Sequence, residues 1–153
     1  METSALALVL AYIGLGLMVG MAGMASAMGT SISGQAAVGA IKKNKDAFGS
    51  YMMLTALPGS QGLYGFVCFF MVYPQITAAL SIYEGAAIFG IGLLVGLANI
   101  ASSVYQGKVC ANGIAAIGNG HDVATNTLIL AAFPELYAIL TIPATFLILG
   151  QVF

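Results

Sequence analysis

Arginine and tryptophan are absent from this 153-residue chain, and only 6% of its residues are charged. Lys42, Lys43, Lys45 and Lys108 are its only basic residues. That leaves almost nothing to neutralise a phosphate backbone, so nucleic-acid binding is excluded. No glycine-rich loop ending in Lys-Ser/Thr occurs, so nucleotide hydrolysis by this chain alone is not expected. The two cysteines, Cys68 and Cys110, fall in apolar segments of different halves without a metal-ligand spacing, and read as reduced packing residues. The single histidine, His121, lies in a polar turn and reads as a solvated loop residue.

What fills the chain is apolar. Hydrophobic residues make up 60% of it and the mean hydropathy is +1.00, whereas a soluble domain carries roughly a quarter charged residues. The composition is that of a multi-pass integral membrane protein. Ala5 to about Ile41 reads as one long helix, well beyond the ~20 residues that span a bilayer. Its small residues, among them Gly14, Gly16, Gly20 and Gly23, let another backbone come close. Ala25-Ser26-Ala27 has the look of a cleavage site, but the preceding run is too long and lacks a basic start for a signal peptide. A polar turn from Lys42 to Asp46 leads into a second helix from about Ala47 to Tyr73. A third follows from Glu84 to about Ile117, a second polar turn covers Gly118 to Asp122, and a fourth helix begins at Val123. Four antiparallel spans put both polar turns on one side, which the lysines make cytoplasmic.

An internal repeat organises these spans. A shift of 76 positions pairs Gly14 with Gly90, Gly16 with Gly92, Gly20 with Gly96, Ala25 with Ala101, Ser26 with Ser102 and Pro58 with Pro134. The expected architecture is therefore an all-α membrane protein of four transmembrane helices, made from a tandemly duplicated helical hairpin. The first hairpin occupies residues 1–76 and the second residues 77–153. Both enter from the same side, so the repeats are parallel rather than inverted. The duplication is chemically unequal, because Glu135 in the fourth helix corresponds to Gly59 in the second.

Glu135 is the only acidic residue deep inside an apolar run. An ionised carboxylate at membrane depth costs at least about 2.5–3.5 kcal/mol, so it faces protein and marks a functional site by default. Leu57, Ser60, Gln61 and Tyr64 recur at i, i+3, i+4 and i+7, along one helical face. Pro58 withdraws an amide from the helix and Gly59 tolerates distortion, so a nearby carbonyl, Leu57 first among them, can turn toward a ligand. Gln106 lies at a depth in the third helix similar to that of Glu135 in the fourth, and adds an amide oxygen. One carboxylate, a hydroxyl, two amide oxygens and a carbonyl make an all-oxygen cage with one negative charge. This suits a hard monovalent cation such as Na+, since divalent ions recruit more carboxylates and soft metals want Cys or His. A proton alone would need fewer of these groups, and remains the alternative cargo. Two further classes are a small multidrug exporter, which would want a roomy aromatic pocket around the Glu, and a purely structural tetraspan protein, which the polar stripe disfavours. Lys108 faces away from Gln106 on its helix and is not expected to pair with Glu135.

The duplicated hairpin, the single carboxylate, Leu57-Pro58-Gly59-Ser60-Gln61-Gly62-Leu63-Tyr64-Gly65, Tyr105-Gln106-Gly107-Lys108 and Glu135-Leu136-Tyr137-Ala138-Ile139-Leu140 together resemble the proteolipid subunits of V-type ATPases, especially the bacterial sodium-pumping type. The resemblance covers essentially the whole chain. It implies a homo-oligomeric rotor ring in a bacterial plasma membrane, in contact with lipid, carrying Na+ past a stator membrane subunit that supplies a cationic residue. It also implies central-stalk subunits and a separate ATP-hydrolysing sector. The site implied is Leu57, Ser60, Gln61, Gln106 and Glu135, with Tyr64 holding the carboxylate by a hydrogen bond. Leu136 is a position at which no match is claimed.

Overall fold

The computed structural model describes residues 2–153, with side chains from Ala5 onward. Its elements in chain order are α1 (Glu2–Ile41), α2 (Phe48–Ala56), α3 (Ser60–Val72), α4 (Ile82–Gly118), α5 (Ala124–Ile139) and α6 (Thr141–Val152). No strand occurs among the described residues. At ~1.5 Å per residue, α1 and α4 are each about twice as long as the ~30 Å hydrocarbon layer is thick. They pack along most of their length. α2 with α3 makes the second span, and α5 with α6 the fourth.

Two of the four spans are interrupted, the second at the Pro58–Gly59 distortion that the sequence predicts. The second is not one helix: Leu57–Gly59 forms a 3₁₀ turn between α2 and α3. Pro58 cannot donate to the carbonyl one turn back, and the Ser60 amide bonds the Leu57 carbonyl in the tighter pattern instead. The fourth changes from α5 to α6 at Leu140, where the Thr141 hydroxyl donates to the Ala138 carbonyl at 2.6 Å. By length and composition, Ala5–Ile41, Ile82–Gly118 and Ala124–Val152 are long and apolar enough to cross a membrane, the last through its change at Leu140. α4 also begins slightly earlier than expected. Ser81 caps it, accepting from the Glu84 amide at 3.2 Å while the Glu84 carboxylate accepts from the Ser81 amide at 2.6 Å, a reciprocal capping box.

The α1–α4 seam depends on missing side chains. A methyl group on Gly92 would run into the Gly14 carbonyl, and one on Gly107 would stand 2.5 Å from the Gly29 carbonyl. Close backbone approach of this kind is how membrane helices associate where lipid removes the hydrophobic driving force. Away from the seam, Ala7, Ala11, Leu15 and Met18 join Ile88, Ile91 and Val95 in a buried cluster at one end. Tyr51, Leu54, Cys110 and Ile114 form a second cluster toward the polar turns. Both cysteines are free and buried, as packing residues should be. The polar turns lie side by side, with the Lys43 ammonium donating to the Asn119 side-chain oxygen at 2.8 Å. His121 is exposed.

Because overpacking a close-fitted seam costs about 1–3 kcal/mol, Gly92→Ala should lower the melting temperature of the detergent-solubilised protein, followed by far-UV circular dichroism. Gly39→Ala, at a helical glycine with open space around it, should leave the melt unchanged or raise it slightly.

Candidate functional site

The 3₁₀ turn in the second span exposes consecutive carbonyls, and serines from the long helices take them up. Ser103 of α4 is within 2.7 Å of both the Pro58 and the Ala25 carbonyls. Ser26 of α1 donates to the Gly59 carbonyl at 2.9 Å and accepts from the Gly62 amide at 2.7 Å. The Ser33 hydroxyl reaches the Thr55 carbonyl at 3.3 Å. The distortion is thereby fixed in place, and it sets the direction in which α3 presents its next turn.

That turn carries Ser60, Gln61 and Tyr64, and it faces Glu135 on α5. The Ser60 and Tyr64 hydroxyls both donate to Glu135 Oε1 at 2.7 Å. Gln106 Nε2 donates to Glu135 Oε2 at 3.0 Å and to the Ala131 carbonyl at 3.1 Å. Gln61 is fully buried, and its Nε2 donates to Gln106 Oε1 at 2.8 Å and to Ser102 Oγ at 3.0 Å. A carboxylate offers acceptors only, so donors from α3 and α4 compensate the desolvation that the apolar span imposes.

All the residues singled out in the sequence are brought together. Leu57, Ser60, Gln61 and Tyr64 come from the second span, Gln106 from the third and Glu135 from the fourth. In this arrangement Gln106 presents its nitrogen to Glu135, while its oxygen accepts from Gln61. The Leu57 carbonyl accepts the Ser60 amide and lies 3.1 Å from Ser60 Oγ. Gln61 Oε1 is 3.4 Å from the same hydroxyl. Ser60 has one hydroxyl proton, and the shortest of its three contacts is to Glu135. The Leu57 carbonyl and Gln61 Oε1 therefore retain acceptor capacity beside the carboxylate.

Ser102 and the Ala131 carbonyl were missed in the sequence. Ser102 was accessible to it, since it precedes Gln106 by one helical turn on the same face. The backbone oxygen of Ala131 carries no side-chain signal. Lys108 is exposed, its ammonium 4.9 Å from the centre of the Tyr105 ring, and is not engaged with Glu135. Along the outer edge, Met53, Leu57, Ser60, Leu63 and Glu135 line a shallow groove of about 650 Å³, so one side of the carboxylate opens laterally rather than into the bundle.

The ATP synthase C-subunit family matches this chain twice, over residues 13–72 and again over 89–148. The chain belongs to that family. The two matched segments are offset by the same 76 positions as the repeat, one in each hairpin. This family member is 36% identical over 126 residues to the V-type sodium ATPase subunit K of Enterococcus hirae, covering 82% of this chain and 81% of that protein. It is 32% identical over 146 residues to the A-type ATP synthase subunit K of Methanocaldococcus jannaschii, covering 95% of this chain but 64% of that longer protein.

Gln61→Leu would leave Ser102 and Gln106 Oε1 without their shared donor. An unsatisfied buried polar group costs about 1–3 kcal/mol, so this variant should melt markedly earlier than the parent. Ser60→Ala should cost less, because Tyr64 still donates to the same Glu135 oxygen; equal losses would show that Gln61 contributes nothing beyond bulk.

Proposed function

We propose that this chain is an ion-carrying subunit of the membrane rotor ring of a V/A-type rotary ATPase, each copy binding one Na+ at Glu135. The observation that carries the reading is the cluster of oxygens around Ser60. Leu57 O, Gln61 Oε1 and Glu135 Oε1 all lie within 3.4 Å of Ser60 Oγ, which has a single proton to share among them. A hard monovalent cation satisfies all four and leaves the site formally neutral. Rotation of the Gln106 side-chain amide, a soft terminal torsion, would add a fifth oxygen as the ion enters. Tyr64 holds the carboxylate from the side and supplies no ligand. The similarity to a sodium ATPase subunit K supports the same cargo.

Loading and unloading then follow from electrostatics. With Na+ bound, that part of the ring turns through lipid cheaply, whereas the empty carboxylate is expensive there. Emptying the site requires a positive charge nearby. The chain has no arginine and Lys108 faces elsewhere, so the charge comes from a stator membrane subunit at the ring's edge, on the side where the lateral groove opens. The difference in ion affinity near and away from that charge couples passage to rotation. ATP is hydrolysed in a separate sector connected through central-stalk subunits. In a bacterial plasma membrane the two lysine-side turns would face the cytoplasm. The boundaries 1–76 and 77–153 divide the chain into a hairpin without a carboxylate and one with it.

Radioactive sodium should bind the solubilised protein and be displaced by acid. It should also protect Glu135 from a carboxyl-directed carbodiimide, with protection weakened in both Gln61→Ala and Gln106→Ala. Protection unchanged in both variants would assign the site to protons. In the assembled complex, Glu135→Gln should abolish ion transport while the detached soluble sector still hydrolyses ATP. Sustained sodium transport by that variant, or transport by this chain alone in liposomes, would overturn the rotor reading.

A further inference from the structure

One buried polar atom on α4 takes no part in the hydrogen bonds around Glu135. Asn99 is fully buried, and its Nδ2 donates to the Val95 carbonyl at 2.7 Å. Its Oδ1 is buried as well and has no hydrogen-bond partner. An acceptor so placed is costly unless a donor reaches it. Asn99, Ser102, Ser103 and Gln106 stand at i, i+3, i+4 and i+7 on α4 and are all buried. Asn99 is therefore one turn from the Glu135 network, on the face that carries it. The Ser103 hydroxyl is engaged with the Ala25 and Pro58 carbonyls. Ser102 Oγ accepts from Gln61 Nε2 at 3.0 Å, and its own proton is paired with no acceptor among the described residues.

The internal repeat explains why this serine needs a partner that its counterpart does not. Ser26, 76 positions earlier, donates to the Gly59 carbonyl and accepts from the Gly62 amide. That carbonyl is within reach because Leu57–Gly59 forms a 3₁₀ turn. In the second half, α5 runs on past Glu135 to Ile139 as α-helix, and the Glu135 carbonyl stays in the helical ladder. Asn99 stands where the first half has Gly23. It brings a side-chain acceptor to the half that lacks a freed carbonyl.

We infer that Ser102 gives its proton to Asn99 Oδ1, directly or through one buried water, and that Asn99 is thereby a positioning residue for sodium, holding the Gln61 side-chain oxygen toward Ser60 and the ion. This rests on the sodium reading above and adds a determinant that touches neither the ion nor Glu135. A serine hydroxyl has one proton. With that proton committed to Asn99, Ser102 can only accept from Gln61, so Gln61 turns Nε2 to Ser102 and keeps Oε1 beside Ser60. In the empty site Gln106 Oε1 makes the same demand, accepting from the same Nε2 at 2.8 Å. Loading weakens that second hold, because Gln106 then turns its oxygen toward the ion. The Ser102 end is left to keep Gln61 from flipping its amide and presenting a nitrogen to a cation. Asn99 therefore acts on the loaded site and leaves the empty one as it is.

Sodium protection of Glu135 against a carboxyl-directed carbodiimide, titrated on the full chain in membranes, tests this. Asn99→Leu, close to asparagine in size, removes the acceptor. Half protection should then need about threefold to tenfold more sodium, the worth of one hydrogen bond. Labelling in the absence of sodium should keep its parental rate, because Gln106 still holds Gln61 there. Ser102→Ala should weaken protection too, and adding Asn99→Leu to it should change nothing further, since the influence of Asn99 passes through that hydroxyl. Should Asn99→Leu fail to fold into the membrane, Asn99→Ala removes the same oxygen without filling its space. Unchanged half protection in the Asn99 variant, as when Ser102 bonds a carbonyl of its own helix instead, would overturn the inference and leave the sodium reading standing. An additive loss in the double variant, or an altered labelling rate without sodium, would do the same by assigning Asn99 to packing alone. A parent chain that sodium does not protect would overturn both.

Discussion

A carboxylate held at membrane depth needs compensation from polar partners, and the rest of this structure follows from supplying them. Lipid offers no donors, so each one must come from a neighbouring helix in fixed geometry. Ser60 and Tyr64 reach Glu135 Oε1 from α3, and Gln106 reaches Oε2 from α4. Gln106 is in turn held by Gln61, and Gln61 by Ser102. The network spans three helices, and its geometry is only as good as the distance between them.

That distance is set by the glycine contacts of α1 and α4 and by the 3₁₀ turn. If the seam were wider, Ser103 would lose the Pro58 carbonyl and Ser26 the Gly59 carbonyl, and the turn that aims Ser60 and Gln61 would relax. Small residues and serine hydroxyls therefore act at one remove from the Glu135 network, holding in place the helix that supplies Ser60, Gln61 and Tyr64.

The two hairpins repeated in tandem are chemically unequal. One carries the carboxylate and the other has Gly59 at the corresponding position. Gly59 belongs to the distorted turn instead. The first hairpin contributes Ser60, Gln61 and Tyr64 and the second Ser102, Gln106 and Glu135, so neither hairpin makes this network alone.

The sequence by itself determined the membrane class, the four spans, the parallel repeat, and the set Leu57, Ser60, Gln61, Tyr64, Gln106 and Glu135. Hydropathy, period and a lone acid within an apolar run are local signals that survive without coordinates. It also placed the distortion at Pro58, because a missing amide is a covalent fact. The tertiary structure decided which atoms meet. Whether Gln106 offers its nitrogen or its oxygen depends on Gln61 across the helix pair. Ser26, Ser102 and Ser103 became partners of the site only once α1 and α4 had closed against the second span. The break at Leu140 has a covalent cause as well, since Pro143 has no amide to donate to the Ile139 carbonyl one turn back, although the reading of the fourth span as one helix passed over it. Side-chain hydrogen bonds between helices depend on angles and separations fixed by the whole bundle, and no periodicity along one segment encodes them.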